Sequence, residues 1–331
     1  MIKRSNRRPA RAGIAGIAML MLVSAPAGAD EATDELGFAS ALIEMGFPDL
    51  AGKVADQVVE RWPDRAGEAR LVRAELLMAR RKFAEAEEIV RSIPPVSEEG
   101  KAIRLALANY YYAANEIDKA RGLYDDFFSE YDRPPSNETV LRFYTEAAFV
   151  LAQMLENSEQ YEEAAESLSR VLATDLDGER ERGLQAQQAA LYLQAVEAGQ
   201  GKQASLLKRA RALAETIQFG GPYWVARSMI LLAEADRVSG EPGEALARLE
   251  DNLVLIKQID GSLKNAGLRD QSPKAHYHYI RGRIFEDETL PAATRAQGKD
   301  EATRTAARKG LGRPLNEYAR ILKYYAGSDL G

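Results

Sequence analysis

The chain has 331 residues, with 44 Lys plus Arg against 50 Asp plus Glu, two His and no Cys. Without cysteine there are no disulfides, no thiolate chemistry, no cysteine-rich metal site and no lipid-modified cysteine. The net charge of −6 repels phosphate backbones and anionic lipid surfaces, which sets nucleic acid and membrane aside as partners.

Residues 1–11 carry Lys3, Arg4, Arg7, Arg8 and Arg11 with no acid. An apolar run follows at Gly13–Val23, and then a small-x-small site at Ala27-Gly28-Ala29. That order is the layout of a secretory signal peptide cleaved after Ala29, and the apolar run is too short to span a bilayer. The expectation is a periplasmic or otherwise exported chain. Loss of five basic residues and no acid would leave it at a formal charge of −11. About 300 remaining residues can bury a core without covalent staples.

Self-similarity comes next. Small residues recur at Ala39, Ala74, Ala108, Ala152 and Ala233, with Tyr192 as the exception in that series. Twelve residues after each lies an alanine: Ala51, Ala86, Ala120, Ala164, Ala204 and Ala245. Between them sit Gly46-Phe47-Pro48, Lys82-Phe83, Asn115-Glu116-Ile117, Gln160-Tyr161, Gly199-Gln200 and Gly240-Glu241-Pro242. Two antiparallel helices joined by a short turn approach closely only where side chains are small. Larger residues such as Leu77, Leu107, Tyr124, Leu168 and Leu249 then fill the grooves between successive pairs, each covering the bare face of the one before.

These residues resemble the tetratricopeptide repeat family, whose 34-residue unit places small residues at its eighth and twentieth positions. Ala32–Arg65 carries Ala39, Gly46, Ala51, Val58 and Pro63 on the expected places. The second and third units lack the turn glycine, with Arg81 and Asn115 there instead, and later units put Tyr192, Arg211 and Asn252 at departures from the pattern. The resemblance covers roughly 32–259 and implies an all-α, superhelical solenoid of six or seven antiparallel helix pairs. It also implies a protein or peptide partner on the concave face, met by the fifth, ninth and twelfth residues of each unit. In units two to four these are Leu71, Glu75 and Met78; Leu105, Asn109 and Tyr112; and Phe149, Gln153 and Glu156. The apolar fifth positions fit an apolar groove better than a clamp for a terminal carboxylate. The same residues would serve equally as interior packing of the superhelix.

Phe219-Gly220-Gly221-Pro222-Tyr223-Trp224 reads as a flexible joint between the fifth and sixth pairs. Its aromatic pair is either an exposed anchor or, preferably, a staple against the neighbouring helix. Ser272 and Pro273 start a helix well, expected over Lys274–Phe285. A polar insertion at about 286–312, part helix and part mobile loop, then precedes a last helix, Pro314–Tyr325. Those two helices would form a split seventh pair within a C-terminal cap, 261–331.

His276 and His278 are two apart, so on a helix they point about 200° from each other and cannot share a metal. Asp175–Glu179 is a helix-ending acidic turn rather than a calcium loop. No nucleophile elbow, phosphate loop or zinc-helix motif is present. The composite expectation is a non-enzymatic interaction scaffold of the bacterial cell envelope, without cofactor or metal. The alternatives are a peptidoglycan enzyme resembling the lytic transglycosylases, for whose catalytic domain Gly261–Gly331 is too short, and a purely structural spacer.

Overall fold

The computed structural model describes residues 31–94, 96–296, 299–328 and 330; the expected signal peptide lies outside them. The described residues form helices and turns, with no strand among them. Nor is any helix among them long and apolar enough to cross a membrane. Two compact units divide the chain between Met154 and Leu155.

The first unit holds α1 (Glu31–Glu44), α2 (Pro48–Arg61), α3 (Ala66–Ala79), α4 (Phe83–Ser92), α5 (Glu98–Ala113), α6 (Ile117–Ser129) and most of α7 (Glu138–Asn157). Neighbours in sequence pack as neighbours in space: α1 on α2, α3 on α4, α5 on α6, with α2 and α5 both against α3. Ala39, Ala51, Ala74, Ala86, Ala108 and Ala120 are fully buried. Between α6 and α7 the seam is aromatic: Phe128 and Tyr131 meet the Tyr144 ring edge-on at 5.2 and 5.9 Å.

The twelve-residue spacing has a backbone cause. Seven residues after the first contact and five before the second, one residue adopts the left-handed conformation: Gly46, Arg81, Asn115, Glu159, Gly199 and Gly240. Each reverses the chain with a paired set of bonds. In one turn the Lys82 amide donates to the Leu77 carbonyl (2.8 Å) and the Arg81 amide to the Met78 carbonyl (2.9 Å). This helix-ending motif satisfies carbonyls that the helix leaves open. Three of the six residues are not glycine, and a left-handed side chain costs about 1–2 kcal/mol. Arg81→Gly and Glu159→Gly are therefore each expected to raise stability by about 0.5–1 kcal/mol, once the entropy of the new glycine is set against the relieved strain. Asn115→Gly should gain less, because asparagine tolerates this region. Chemical denaturation of the three variants checks the order.

The second unit continues with α8 (Tyr161–Leu172), α9 (Gly178–Glu197), α10 (Gln203–Ile217), α11 (Pro222–Val238), α12 (Pro242–Asp251), α13 (Leu253–Asn265), α14 (Pro273–Arg295), α15 (Glu301–Gly310) and α16 (Gly312–Tyr324). Successive helices again pack on one another from α8 to α12, and α11 also lies on α9 and α14. Ala164 and Ala245 are fully buried, as expected, but Ala204 is exposed. The reason is a two-residue insertion. After left-handed Gly199 comes a second left-handed residue, Gly201 (φ 55°), so the helix cap falls on Lys202 rather than on Gln200. The residue four after the cap, fully or almost fully buried in every other pair, is here Leu206, 1% exposed.

Two further expectations change. The joint at 219–224 does not interrupt packing: a short 3-10 turn, Gln218–Gly220, and Gly221 at φ 101° re-aim the chain, and α11 still packs on α10 and α9. Trp224 is 7% exposed and its Nε1 donates to both carboxylate oxygens of Glu179 on α9 (3.0 and 3.1 Å), so it staples rather than protrudes. The helix expected to stop at Phe285 runs to Arg295 through Pro291, and α15 covers most of the remaining polar stretch. The last turns of α14 survive because Pro291 sits on an exposed stretch, where its missing amide leaves no buried carbonyl stranded. Across that stretch α14 and α16 pack side by side.

Candidate functional site

The face expected to meet a partner divides sharply by burial. Met78 and Leu105 are core side chains, and Asn109 is buried on α5, where its carbonyl oxygen accepts the Tyr124 hydroxyl of α6. These three hold helices together. Leu71, Glu75 and Tyr112 are half-buried, and Glu75 accepts a 3.0 Å bond from the Ser40 hydroxyl, joining α3 to α1. Glu156 is half-buried too, and burial pushes its carboxyl above the ordinary range. Only Phe149, 39% exposed, and Gln153 stand in the open. They are four apart on α7 and so share one face of it.

A second constellation, which the sequence reading did not assemble, lies where α13, α14 and α16 meet. Two buried carboxylates anchor it. Asp260 of α13 accepts from the Ser272 hydroxyl (2.9 Å), the Lys274 ammonium (3.1 Å) and the Tyr325 hydroxyl (3.0 Å). Ser272 also caps α14, its Oγ accepting from the Lys274 amide at 3.2 Å. One carboxylate thus ties the end of α13 to the start of α14 and the end of α16. Glu317 of α16 lies 2.7 Å from His278 Nδ1, 3.3 Å from Arg320 Nη1 and 3.7 Å from Arg281 Nε.

Burial alone would raise the pKa of both acids. For Asp260, hydrogen bonds from Lys274, Ser272 and Tyr325 outweigh it; for Glu317, the bond and charge of His278 with the charges of Arg320 and Arg281 do so. Both carboxyls are held below their ordinary range. Burial, and the bond to Asp260, push the Tyr325 hydroxyl up to about 12.

Residues held by these two carboxylates share the lining of an open cleft of about 410 Å³, formed by Lys257 and Leu253 of α13, by Arg269 of the short turn that follows, by Lys274, Tyr277, His278 and Arg281 of α14, and by Arg320, Tyr324 and Tyr325 at the end of α16. Five cations line it. Three carboxylates touch them: Asp260 on Lys274, Glu317 on Arg281 and Arg320, and Glu250 at 3.9 Å from Arg281. Lys257 and Arg269 have no carboxylate partner among the described residues. The Arg269 guanidinium lies over the Tyr324 and Tyr325 rings at 5.3 and 5.0 Å, and its Nε is buried without a hydrogen-bond acceptor among the described residues.

His278 faces Glu317 and is buried, while His276 is half-buried. Among the described residues no group of three or more His, Asp or Glu could hold a metal ion. A periodic signal for the cleft was present: Lys274, His278 and Arg281 fall at i, i+4 and i+7, and Glu317, Arg320 and Tyr324 at i, i+3 and i+7. Those spacings place each set on one helix face.

No family model matches the chain, and a comparison with curated proteins finds no match.

Proposed function

We propose that this chain is a non-enzymatic scaffold of the tetratricopeptide type, exported to the bacterial cell envelope, whose stacked helix pairs present one face to a protein or peptide partner. The pairing of consecutive helices through buried alanines within each unit supports the repeat reading, and the basic-apolar-small order of residues 1–29 supports export. The observation that carries partner binding is Phe149. A large aromatic side chain left in the open, with a polar Gln153 one turn along the same face of a helix whose other faces are packed, is the composition of an interface anchor. Half-buried Tyr112 and Leu71 on preceding first helices extend an apolar lining of the same kind.

The test is affinity capture from envelope extract with the purified chain as bait. A defined partner retained by the wild type should be lost on Phe149→Ala, by tenfold or more in apparent Kd, since an anchor aromatic contributes about 2 kcal/mol or more. Tyr112→Ala should weaken it less. Equal recovery with all three baits would overturn the reading.

A further inference from the structure

We propose that the cleft between α13, α14 and α16 is a binding site for a small polyanion carrying two or more carboxylate or phosphate groups. It goes beyond the scaffold reading and does not depend on it, because every lining residue lies between Leu253 and Tyr325, far in sequence from Phe149.

Three features distinguish the cleft from an ordinary solvated charge cluster. The first is its charge balance. Five cations converge on one concavity of a chain whose net charge is −6, and the three carboxylates touching them leave an excess of two positive charges there. Like charges gathered in a concavity raise one another's energy, and an entering anion relieves that repulsion.

The second is that the excess sits on identifiable groups. Lys274, Arg281 and Arg320 are committed to Asp260, Glu317 and Glu250, whereas Lys257 and Arg269 meet no carboxylate among the described residues, Arg269 facing the Tyr324 and Tyr325 rings and the Tyr325 hydroxyl instead. Arg269 is also fixed in place, its planar group lying over two tyrosine rings while a buried Nε lacks an acceptor among the described residues. A guanidinium immobilised in this way has less entropy to lose when it grips an anion, and its fork matches both carboxylate and phosphate oxygens.

The third is the rigid support. Asp260 and Glu317 are saturated with donors, so they brace the cations instead of competing for them, and the bonds from Ser272, Tyr325 and His278 lock α13, α14 and α16 into the geometry that forms the cleft. A volume of about 410 Å³ falls within the usual range of small-ligand sites. With two cations that no carboxylate neutralises among the described residues, a ligand with at least two anionic groups fits best. A second cleft of this unit, lined by Pro222, Tyr223, Leu255, Ile259 and Leu263 among others, has no cation in its lining and offers no comparable chemistry.

The test is calorimetric titration of the purified chain in 150 mM-class salt, about physiological ionic strength, with tripolyphosphate and separately with citrate. The expected result is saturable one-to-one binding of at least one probe. Tripolyphosphate alone would mark a phosphate ligand, citrate alone a polycarboxylate, and both the shared chemistry. The double variant K257Q/R269Q should lose about 100-fold in affinity, and the single variant K257Q, which removes an exposed cation with no carboxylate partner among the described residues and leaves the Arg269–tyrosine stack intact, should lose about tenfold with unchanged urea unfolding. F149A should bind each probe as the wild type does even where it abolishes partner capture, so failure of either proposal is visible without the other. No saturable heat with either probe, or equal affinity in the double variant, would overturn the assignment.

Discussion

Replacing Arg237 by alanine is expected to destabilise the second unit by about 3–5 kcal/mol, the range for stripping one partner from a buried ion pair. The guanidinium of Arg237 on α11 is 4% exposed. Its Nε and Nη2 make a two-pronged contact with Glu234 (both 2.8 Å), Nη1 donates to Asp287 of α14 (2.6 Å), and Nη2 to Glu197 of α9 (3.0 Å). Burial by itself would lower the pKa of this arginine, but the bonds and charges of Glu234, Asp287 and Glu197 hold it above its ordinary value.

The loss would fall unevenly among those acids. Glu197 keeps its ion pair with Arg283, and Asp287 is half-exposed, so water can replace the missing donor at both. Glu234 is 13% exposed and would be left as a nearly bare buried anion. The double variant R237L/E234L should accordingly recover much of what R237A loses, because removing both members avoids the stranded charge. R237K should sit between, since an ammonium cannot reproduce the fork. Urea denaturation followed by Trp224 fluorescence, in a W62F background so that the signal reports on this unit alone, would measure the series. An R237A loss below about 1 kcal/mol would show that Arg237 does not hold α9, α11 and α14 together.

This network also shows where sequence reasoning runs out. The alanine ladder was legible because its cause is local: a left-handed residue and a cap fix the distance between two contact points within one turn, whatever the rest of the chain does. The same rule failed at Ala204 because two inserted residues moved the cap. The doubled glycine, Gly199 and Gly201, was the visible sign of that insertion. Trp224 was legible as a staple for a similar reason, standing just inside a helix start. Arg237, by contrast, binds acids up to 50 residues away, and Asp260 meets Tyr325 across 65. Helical periodicity places such residues on a face, but it does not say which face of which other helix will arrive opposite. The expected partner face suffered from the complementary problem. Repeat register put Phe149 and Gln153 on one side of α7, yet Leu105 and Asn109, the equivalent fifth and ninth residues one unit earlier, are buried, because what covers a position depends on the neighbouring pair.

The α14–α16 contact gives the sharpest test of close packing. Gly282 lies mid-helix on α14, where glycine costs about 1 kcal/mol relative to alanine by propensity alone, so an unconstrained helix would gain from G282A. Here a Cβ on residue 282 would stand 2.6 Å from Tyr318 Cε1 and 3.0 Å from its Cδ1 and Cζ, well inside van der Waals contact. The ring cannot swing away freely, since its hydroxyl donates to Glu286 at 2.6 Å and its face neighbours Tyr279. Overpacking of this kind costs about 1–3 kcal/mol, which outweighs the propensity gain, and the net expectation for G282A is a loss of about 1–2 kcal/mol. The sign of the coupling makes the claim specific. In a Y318A background the obstruction is gone and only the propensity term remains, so the same substitution should then stabilise by up to about 1 kcal/mol. If G282A is neutral or stabilising in the wild-type background, or if its effect is the same in both, then α14 and α16 are not held at the separation this glycine sets. The cleft whose lining Asp260 and Glu317 hold would lose its rigid support with them, because the spacing of these two helices fixes the reach from His278 to Glu317.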